Sequence, residues 1–330
     1  MLQDGQRGMC FVRMRQGSQM VLDTYGRSTG FCIDPIEKKP LNHFLPGTPV
    51  LSFGTAGCNL ACKFCQNHDI SKSRRTDSLA HKAAPETIAN AAVAHGCASV
   101  AFTYNDPIIF HEYAVDTAQA CRETGLRSVA VTAGYVCPSP RAEFFSVMDA
   151  ANIDLKGYSE TFYRKLTGAH IGPVLDCIAY AVNETGCWVE LTTLLIPGEN
   201  DSPDEIERLA AWVLDTCGAG VPVHFTAFHP DHRMLSHDHT PLDTLLRAQQ
   251  IARSVGLGHV YIGNAHHRAA QSSYCTGCGA LVIGRDWHAL DVWGLDDFGR
   301  CVTCGTTMPG VFDGPPGHWG RKRQPVSFRA

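Results

Sequence analysis

The chain has 330 residues, of which 44% are hydrophobic and 18% are charged, and its 28 basic and 32 acidic side chains leave a net charge of -4. A balance this close to neutral provides no overall basic field that would hold nucleic acid or an anionic membrane surface. No apolar run reaches the length of about 18 residues that a membrane-spanning helix needs, and the first seven residues lack the profile of a signal peptide.

Cysteine is the one residue type with an unusual count, because the chain contains 15 of them. Without an export signal, this number indicates a reducing, cytoplasmic location, where cysteines more often bind metal or act in catalysis than form disulfides. Seven of the fifteen fall into two tight clusters, near residue 60 and near residue 290. Each cluster is therefore a candidate metal site.

From residue 49 to residue 268, short β-branched runs alternate with helical segments. Such alternation predicts a parallel sheet with right-handed crossovers, and six or so strands are too few for a complete eight-fold barrel. We therefore predict an α/β fold, a partial (β/α)6-type barrel whose ligands bind at the carboxyl ends of the strands. An N-terminal extension (1–48) would pack on the barrel, a metal-binding ribbon (269–313) would follow it, and a disordered tail (314–330) would end the chain. The predicted strands are Pro49–Gly54, Ala98–Thr103, Ser128–Thr132, Asn152–Leu155, Trp188–Leu195, Val221–Phe228 and His259–Ile262.

The first cysteine cluster, Cys58, Cys62 and Cys65, follows the first predicted strand with the spacing Cys-x3-Cys-x2-Cys. A lone zinc ion would need a fourth protein ligand to complete its tetrahedron. A cubane [4Fe–4S] cluster held by three cysteines keeps one iron open for a small molecule. The spacing favours the iron–sulfur cluster, with structural zinc or reduced thiols as the alternatives.

The same segment, with the aromatic Phe64 before the last cysteine, resembles the radical S-adenosylmethionine (SAM) enzymes. Over roughly residues 5–313 the chain is similar to the radical SAM proteins of the AmmeMemoRadiSam system, which are relatives of the pyruvate formate-lyase activating enzymes. Family members usually carry further cysteines upstream of Cys10, so either this sequence starts late or that site is absent, and Cys10 receives no role. The segments that carry the resemblance are 33–41 (IDPIEKKPL), 103–107 (TYNDP), 154–156 (DLK), 195–201 (LIPGEND) and 225–231 (FTAFHPD).

The resemblance implies that Asp106, Asp154 and Lys156 hold SAM. Asp106 stands where relatives carry the glutamate of a Gly-Gly-Glu-Pro turn and would accept from the methionine ammonium, although it could instead cap a helix after a turn. Asp154 and Lys156 alternate with apolar residues in the fourth strand, so both point to one face, into the barrel. Lys156 would pair with the methionine carboxylate and Asp154 would orient it or contact the ribose, the alternative being a structural ion pair.

Three further residues are assigned to the cofactor through the same resemblance. Phe64 belongs to the cysteine motif, and Thr132, at the end of the third strand, matches the ribose-side position of the activating enzymes loosely. His229 follows the sixth strand and resembles the histidine that lies near the adenosine. Because several histidines crowd this region, a solvated loop is the alternative for His229.

The second cluster consists of two Cys-x-x-Cys pairs with 22 residues between them, and a glycine follows each pair. Four thiolates make a tetrahedral site suited to structural zinc or to a rubredoxin-like iron, and zinc is favoured over a second iron–sulfur cluster because every ligand position is supplied. The acidic and aromatic stretch between the pairs argues against phosphate contact and favours a lid or a docking surface. The four ligands are Cys275, Cys278, Cys301 and Cys304.

Together these features predict an enzyme in which a [4Fe–4S] cluster reductively cleaves SAM to methionine and a 5'-deoxyadenosyl radical, which abstracts hydrogen from an unknown substrate. The low potential that this needs implies an external reductant such as a flavodoxin or a ferredoxin. One alternative is an activase that places a glycyl radical on a partner protein. The other is a non-catalytic iron–sulfur protein of electron transfer or regulation.

Overall fold

The alternating segments fold into a curved α/β sheet, and the seven strands predicted from the sequence all form. The computed structural model describes residues 2–72 and 81–328. Within that part, the strands are β1 Arg13–Gln16, β2 Gln19–Leu22, β3 Arg27–Ser28, β4 Gly30–Pro35, β5 Pro49–Gly54, β6 His81–Lys82, β7 Ser99–Phe102, β8 Arg127–Thr132, β9 Ala150–Asp154, β10 Trp188–Leu195, β11 Val223–Ala227, β12 Val260–Gly263, β13 Ser273–Tyr274, β14 Leu281–Asp286, β15 Ala289–Trp293 and β16 Gln324–Val326.

Helices connect the parallel strands, as the helical patterns between the β-branched runs predict. A short 3-10 helix, Ile36–Lys38, follows β4, and a second one, Pro107–Phe110, precedes α3. The α-helices of the described residues are α1 His68–Ser71, α2 Pro85–Ala94, α3 His111–Glu123, α4 Pro138–Ser146, α5 Glu160–Phe162, α6 Gly172–Asn183, α7 Pro203–Cys217, α8 Leu242–Val255 and α9 Arg268–Gln271. None of these helices is long and apolar enough to cross a membrane.

One nine-stranded sheet organises the molecule, in the order β12-β11-β10-β9-β8-β7-β5-β4-β16. The seven strands from β5 to β12 in this order run parallel, whereas β4 and β16 are antiparallel additions at one edge. The carboxyl ends of the parallel strands therefore lie along one rim, where ligands are expected in such sheets. The fold is the predicted partial (β/α) barrel.

The inner face of the sheet is filled with apolar side chains at the amino-terminal ends of the strands. Val50, Ala101 and Val129 lie on this face and pack with Ile36 and Phe44, which come from the segment between β4 and β5. These packed side chains, here called the barrel plug, close one end of the barrel interior. Further along the same face lie polar residues such as Thr103, Asp154 and Thr192, and these line a cavity toward the carboxyl rim.

The two ends of the chain are part of the main sheet. Strand β4 of the N-terminal extension pairs with β5 along its whole length, from Gly30 opposite Gly54 to Pro35 opposite Pro49. Our prediction of a disordered tail was wrong for the described residues, because β16 pairs with β4. Phe328 also packs edge-on against Phe31 at a centroid distance of 4.4 Å. The Pro- and Gly-rich composition of the tail gives no indication of these contacts in the sequence.

The segment after α9 forms a separate small layer, the ribbon. Strands β13, β14 and β15 make a three-stranded antiparallel sheet with its own apolar cluster around Val282 and Ile283. Arg285 of β14 is almost completely buried and donates to Asn42 O at 2.6 Å and to Ser273 Oγ at 2.8 Å. The ribbon is thus fastened to the segment that forms the barrel plug.

Candidate functional site

A tightly held loop after β5 carries the first cysteine cluster. Asn105 fixes this loop, since its side chain accepts from Thr55 N at 3.0 Å and donates to Gly57 O at 2.9 Å. Gly57 has a φ of +85°, and a Cβ atom there would lie 1.8 Å from Cys10 O. Only glycine therefore fits at this position, and Cys10 contributes its backbone to the packing of the loop.

The three cysteines line one cavity of about 670 Å³ at the carboxyl rim. Cys62 is buried, and Cys58 and Cys65 are half-buried. Burial raises the pKa of Cys62 to about 12 and, together with the nearby charge of Asp106, raises that of Cys58. These thiols are therefore protonated until a metal binds and displaces their protons.

The spacing of the triad fits a metal cluster better than a single ion. Among residues 2–72 and 81–328, only the four C-terminal cysteines bring their ligand atoms within 4.8 Å of one another. Thiolates around one zinc ion lie about 3.8 Å apart, given Zn–S bonds of about 2.3 Å. A wider triad of soft sulfur ligands at the wall of a cavity suits a [4Fe–4S] cluster.

Asp154 and Lys156 lie where the period-two pattern of the fourth predicted strand places them, in the wall of the same cavity. Lys156 Nζ is 2.8 Å from Asp154 Oδ2, and its backbone N donates to Tyr163 OH at 3.1 Å. Burial alone would lower the pKa of Lys156, but the charge of Asp154, together with that of Cys62 once this thiol is ionised, outweighs it and raises the pKa above its usual value. Lys156 is therefore a stable cation close to Cys62, and an ammonium has three protons to donate.

Asp106 lines the cavity, and its carboxylate is already engaged by the protein. It accepts from Ile108 N at 3.1 Å, from Thr132 Oγ1 at 3.0 Å and from Ala133 N at 3.0 Å. The hydroxyl of Thr132 also accepts from Gly134 N at 3.1 Å. Burial raises the pKa of Asp106, although these donors oppose that shift. The arrangement matches the helix-cap alternative. Through these hydrogen bonds Asp106 connects the segment after β7 to the end of β8.

Phe64 lines the cavity, whereas His229 does not. Phe64 is buried in the cavity wall and packs on Phe162 at a centroid distance of 6.0 Å. The side chain of His229 is 47% exposed, and the residue does not line the cavity. Its nearest polar contact is Pro230 O, 3.5 Å from Nδ1. Phe64, Asp106, Thr132, Asp154 and Lys156 are thus brought together with the triad, and His229 lies outside.

Sequence reasoning missed the opposite wall of the cavity. Lys38, Lys39, Cys32 and Tyr104 lie there with Arg323 from the last segment before β16. Lys38, Lys39 and Tyr104 lie in segments 33–41 and 103–107, which carry the family resemblance but received no role for these residues. Nothing in the local sequence signals Cys32 or Arg323. Tyr104 has a φ of +70°, which is rare for a bulky residue and tends to mark functional positions.

The second cysteine cluster forms the four-ligand site that the sequence predicts. Cys275 Sγ is 3.5 Å from Cys304 Sγ, and Cys278 Sγ is 3.8 Å from Cys301 Sγ. Gly279 follows one pair with a φ of +74°, and the glycine after the other pair has a φ of +77°. The Thr306 hydroxyl lies 3.2 Å from Cys304 Sγ and lowers the pKa of that thiol to about 6. These distances fit one tetrahedral metal ion.

Comparison with known sequences identifies relatives over most of the chain. Residues 53–213 match the family model described as the Radical SAM superfamily. The chain is 37% identical over 305 residues to "Uncharacterized protein MJ0808" of Methanocaldococcus jannaschii, an overlap of 92% of this chain and 90% of that protein. It is 26% identical over 202 residues to "Putative glycyl-radical enzyme activating enzyme MJ1632" of the same organism, an overlap of 60% of this chain and 74% of that protein.

Solved structures share the fold at low sequence identity. The peptide-bound SuiB of Streptococcus suis matches with a TM-score of 0.53 and 14% identity, over 70% of this chain and 52% of that chain. A radical SAM methyltransferase from Sphaerobacter thermophilus matches with a TM-score of 0.51 and 17% identity, over 66% of this chain and 67% of that chain. The sequence relatives and this shared fold agree with the cysteine triad at the carboxyl rim. The chain belongs to the radical SAM superfamily, in which it is similar to the activating enzymes.

Proposed function

We propose that the chain is a radical SAM enzyme whose [4Fe–4S] cluster is held by Cys58, Cys62 and Cys65. The observation that supports this most directly is that the three thiols and the Lys156–Asp154 ion pair line a single cavity. When bound, the cluster and SAM supply reductive cleavage of the sulfonium to methionine and a 5'-deoxyadenosyl radical, which abstracts hydrogen from the substrate.

The residues of the cavity have distinct roles in this proposal. The Lys156 ammonium binds the carboxylate of the methionine moiety, and Asp154 holds the ammonium in place and remains available to the ribose. Phe64 excludes water from the cavity beside the triad, because it is buried against Phe162. Asp106 positions the rim of β7 and β8 through its three hydrogen bonds, and one of its oxygen atoms can still accept from the methionine ammonium.

Two further parts of the proposal concern groups outside the cavity. The electron comes from a low-potential flavodoxin or ferredoxin, because the cluster reaction requires the low end of the iron–sulfur range. The ribbon cysteines hold one zinc ion as a structural site, since all four ligands are provided by the protein and converge within 4.8 Å. A rubredoxin-like iron is the alternative at this site. His229, exposed beyond the cavity, can approach the adenosine only if its loop moves, and this assignment depends on the family resemblance alone.

The second candidate function is activation of a glycyl-radical enzyme. The 26% identity to "Putative glycyl-radical enzyme activating enzyme MJ1632" favours it. In that case the substrate is a glycine in a partner protein, and the radical can be followed by electron paramagnetic resonance after mixing with the partner.

The proposal is tested by product analysis. Protein reconstituted anaerobically with iron and sulfide should form 5'-deoxyadenosine from SAM when dithionite is added. Cys65→Ala should lose both the iron–sulfur absorbance and the product, whereas Cys137→Ala, at an exposed cysteine outside the cavity, should keep both. Binding of SAM without any 5'-deoxyadenosine would favour a non-catalytic iron–sulfur protein, and a wild-type level of product from Cys65→Ala would refute catalysis by the triad.

A further inference from the structure

We propose that the wall of the cavity formed by Lys38, Lys39, Tyr104 and Arg323, here called the cationic wall, binds an oxyanion of the substrate, a carboxylate or a phosphate group. This inference rests on the proposed function and narrows its substrate to an anionic molecule. No residue of the cationic wall belongs to the cysteine triad or to the Lys156–Asp154 pair, although all of them line the same cavity.

A single buried carboxylate, that of Asp34, organises the cationic wall. Lys38 Nζ lies 2.8 Å from Asp34 Oδ1, Lys39 Nζ lies 2.8 Å from Asp34 Oδ2, and Tyr104 OH donates to Oδ2 at 3.1 Å. Asp34 itself is completely buried. Burial would raise the pKa of Asp34, but the two lysines outweigh it and lower the pKa to about 2. The carboxylate is thus charged at neutral pH and is already held by three donors of the wall.

The charges of this wall do not balance. Lys38, Lys39 and Arg323 provide three positive charges against one negative charge on Asp34. Burial lowers the pKa of Lys39 to about 8 despite its ion pair, which keeps the ammonium mostly protonated at neutral pH. Of the three cations, Lys39 is buried, whereas Lys38 and Arg323 are exposed and can reach an anion that enters the cavity. The excess is therefore positive, and an anion would compensate it.

Arg323 presents the geometry that an oxyanion requires. Within the described ranges, its only hydrogen bond is from Nε to Cys32 Sγ at 3.4 Å, and no carboxylate forms an ion pair with it. The two terminal nitrogens of its guanidinium are therefore free to bind a carboxylate or a phosphate in a bidentate manner. Lys38 adds a second donor to the same space, because its side chain is 38% exposed.

Backbone strain at Tyr104 indicates that this wall is held in place. A left-handed φ of +70° is unfavourable for a bulky residue, so it persists only where other contacts impose it. The ammonium of Lys39 lies over the ring of Tyr104, 5.0 Å from the ring centroid. The next two residues in the chain, Asn105 and Asp106, fix the triad loop and the end of β8. Residues 104–106 thus hold both the cationic wall and the loop of the cysteine triad in place.

The cationic wall is separate from the place where the carboxylate of SAM is expected. Lys156 pairs with Asp154 at the end of β9, whereas Lys38 and Lys39 pair with Asp34 of β4. Of the other charged groups nearby, Arg321 is occupied by Asp286. The two cationic groups of the cavity therefore serve two different anions.

The test measures anion binding independently of catalysis. Cluster-loaded protein saturated with SAM is titrated by calorimetry with succinate, with inorganic phosphate and with the neutral succinamide. We expect succinate or phosphate to bind at least tenfold more tightly than succinamide. Arg323→Gln and Lys38→Gln should each weaken that binding tenfold or more, and the control Arg208→Gln, on the exposed face of α7, should not. The tighter of the two anions tells whether the substrate group is a carboxylate or a phosphate.

Several outcomes would overturn the inference. Equal binding of succinamide, or unchanged binding in both variants, would show that the wall does not recognise charge. Competition between succinate and SAM would assign the wall to the cofactor. Formation of 5'-deoxyadenosine by the wild-type protein is measured in parallel, so that failure of the radical chemistry and failure of anion binding are told apart.

Discussion

The ammonium of Lys156 lies 2.8 Å from the carboxylate of Asp154, at the end of β9 and in the wall of the cavity that the cysteine triad lines. Two residues of opposite charge, separated by one apolar residue in a parallel strand, point to the same side of the sheet. Their ion pair lies in the wall of the cavity. The pair is therefore ready to receive a zwitterionic ligand such as an amino acid.

We predict that Lys156→Met weakens SAM binding by at least tenfold, because the methionine carboxylate loses its cation and Asp154 remains to repel it. Calorimetric titration of the cluster-loaded protein measures the effect. Lys165→Met is the matched control, since Lys165 pairs with Glu199 at 2.7 Å outside the cavity. Equal affinities in Lys156→Met and the wild type would assign the pair a purely structural role.

Asp106→Ala should destabilise the protein by about 2–3 kcal/mol, because Thr132 Oγ1 and two buried backbone N–H groups lose their acceptor. Urea unfolding of the variant and of Asp204→Ala, an exposed carboxylate on α7, gives the comparison. Unchanged stability together with a loss of SAM affinity would instead make Asp106 chiefly a cofactor ligand.

The two metal sites should be separable by mutation. Cys278→Ser and Cys304→Ser should remove one equivalent of zinc per chain and leave the iron content unchanged, whereas Cys58→Ala should remove iron and retain zinc. Elemental analysis of anaerobically purified protein measures both. Iron rather than zinc lost from the ribbon variants would identify a rubredoxin-like site, and a loss of both metals from either variant would show that the sites are not independent.

The free energy of unfolding should decrease between about pH 4.5 and pH 7, because the buried carboxyl group of Glu37 ionises less readily in the folded protein than in the unfolded chain. Burial raises the pKa of this carboxyl from 4.5 to about 7, and its Oε2 has no hydrogen-bond partner among the described residues, although Arg285 and the Gly47 N–H oppose the shift. The folded protein therefore binds a proton that the unfolded chain releases, so the stabilisation is complete below pH 4.5 and is lost as the pH rises through 7.

Glu37→Gln should remove this slope and gain about 3 kcal/mol relative to the wild type at pH 8, following from the size of the shift. Urea midpoints of both proteins from pH 4 to pH 8 provide the measurement. Parallel pH profiles for the variant and the wild type would contradict the assignment to Glu37.

Local patterns in the sequence were sufficient for the core of the fold and for half of the site. The β-branched runs gave all seven parallel strands, and period-two alternation placed Asp154 and Lys156 in the barrel interior. Cysteine spacing alone gave the ribbon site, because a tetrahedral ion needs four ligands from two short turns. In each case the physical constraint acts within a few residues of the chain.

The remaining parts depend on contacts between distant segments. Strand β16 has the composition of a tail and becomes ordered only because β4 offers a free edge. Arg323 reaches Cys32 across 291 residues, so no local pattern indicates that it joins Lys38, Lys39 and Tyr104. Asp106 was correctly placed at the rim, but its three hydrogen-bond donors could not be foreseen, since two of them come from the neighbouring strand end.

The pairing of β16 with β4 has a consequence for biosynthesis. An early strand and a late strand meet at one edge of the sheet, and the late strand brings Arg323 and Pro325 to the cavity wall. On the ribosome, the nascent chain can complete the other strands of the sheet long before this edge closes. One side of the cavity is therefore completed only after the residues that form its other sides have been synthesised.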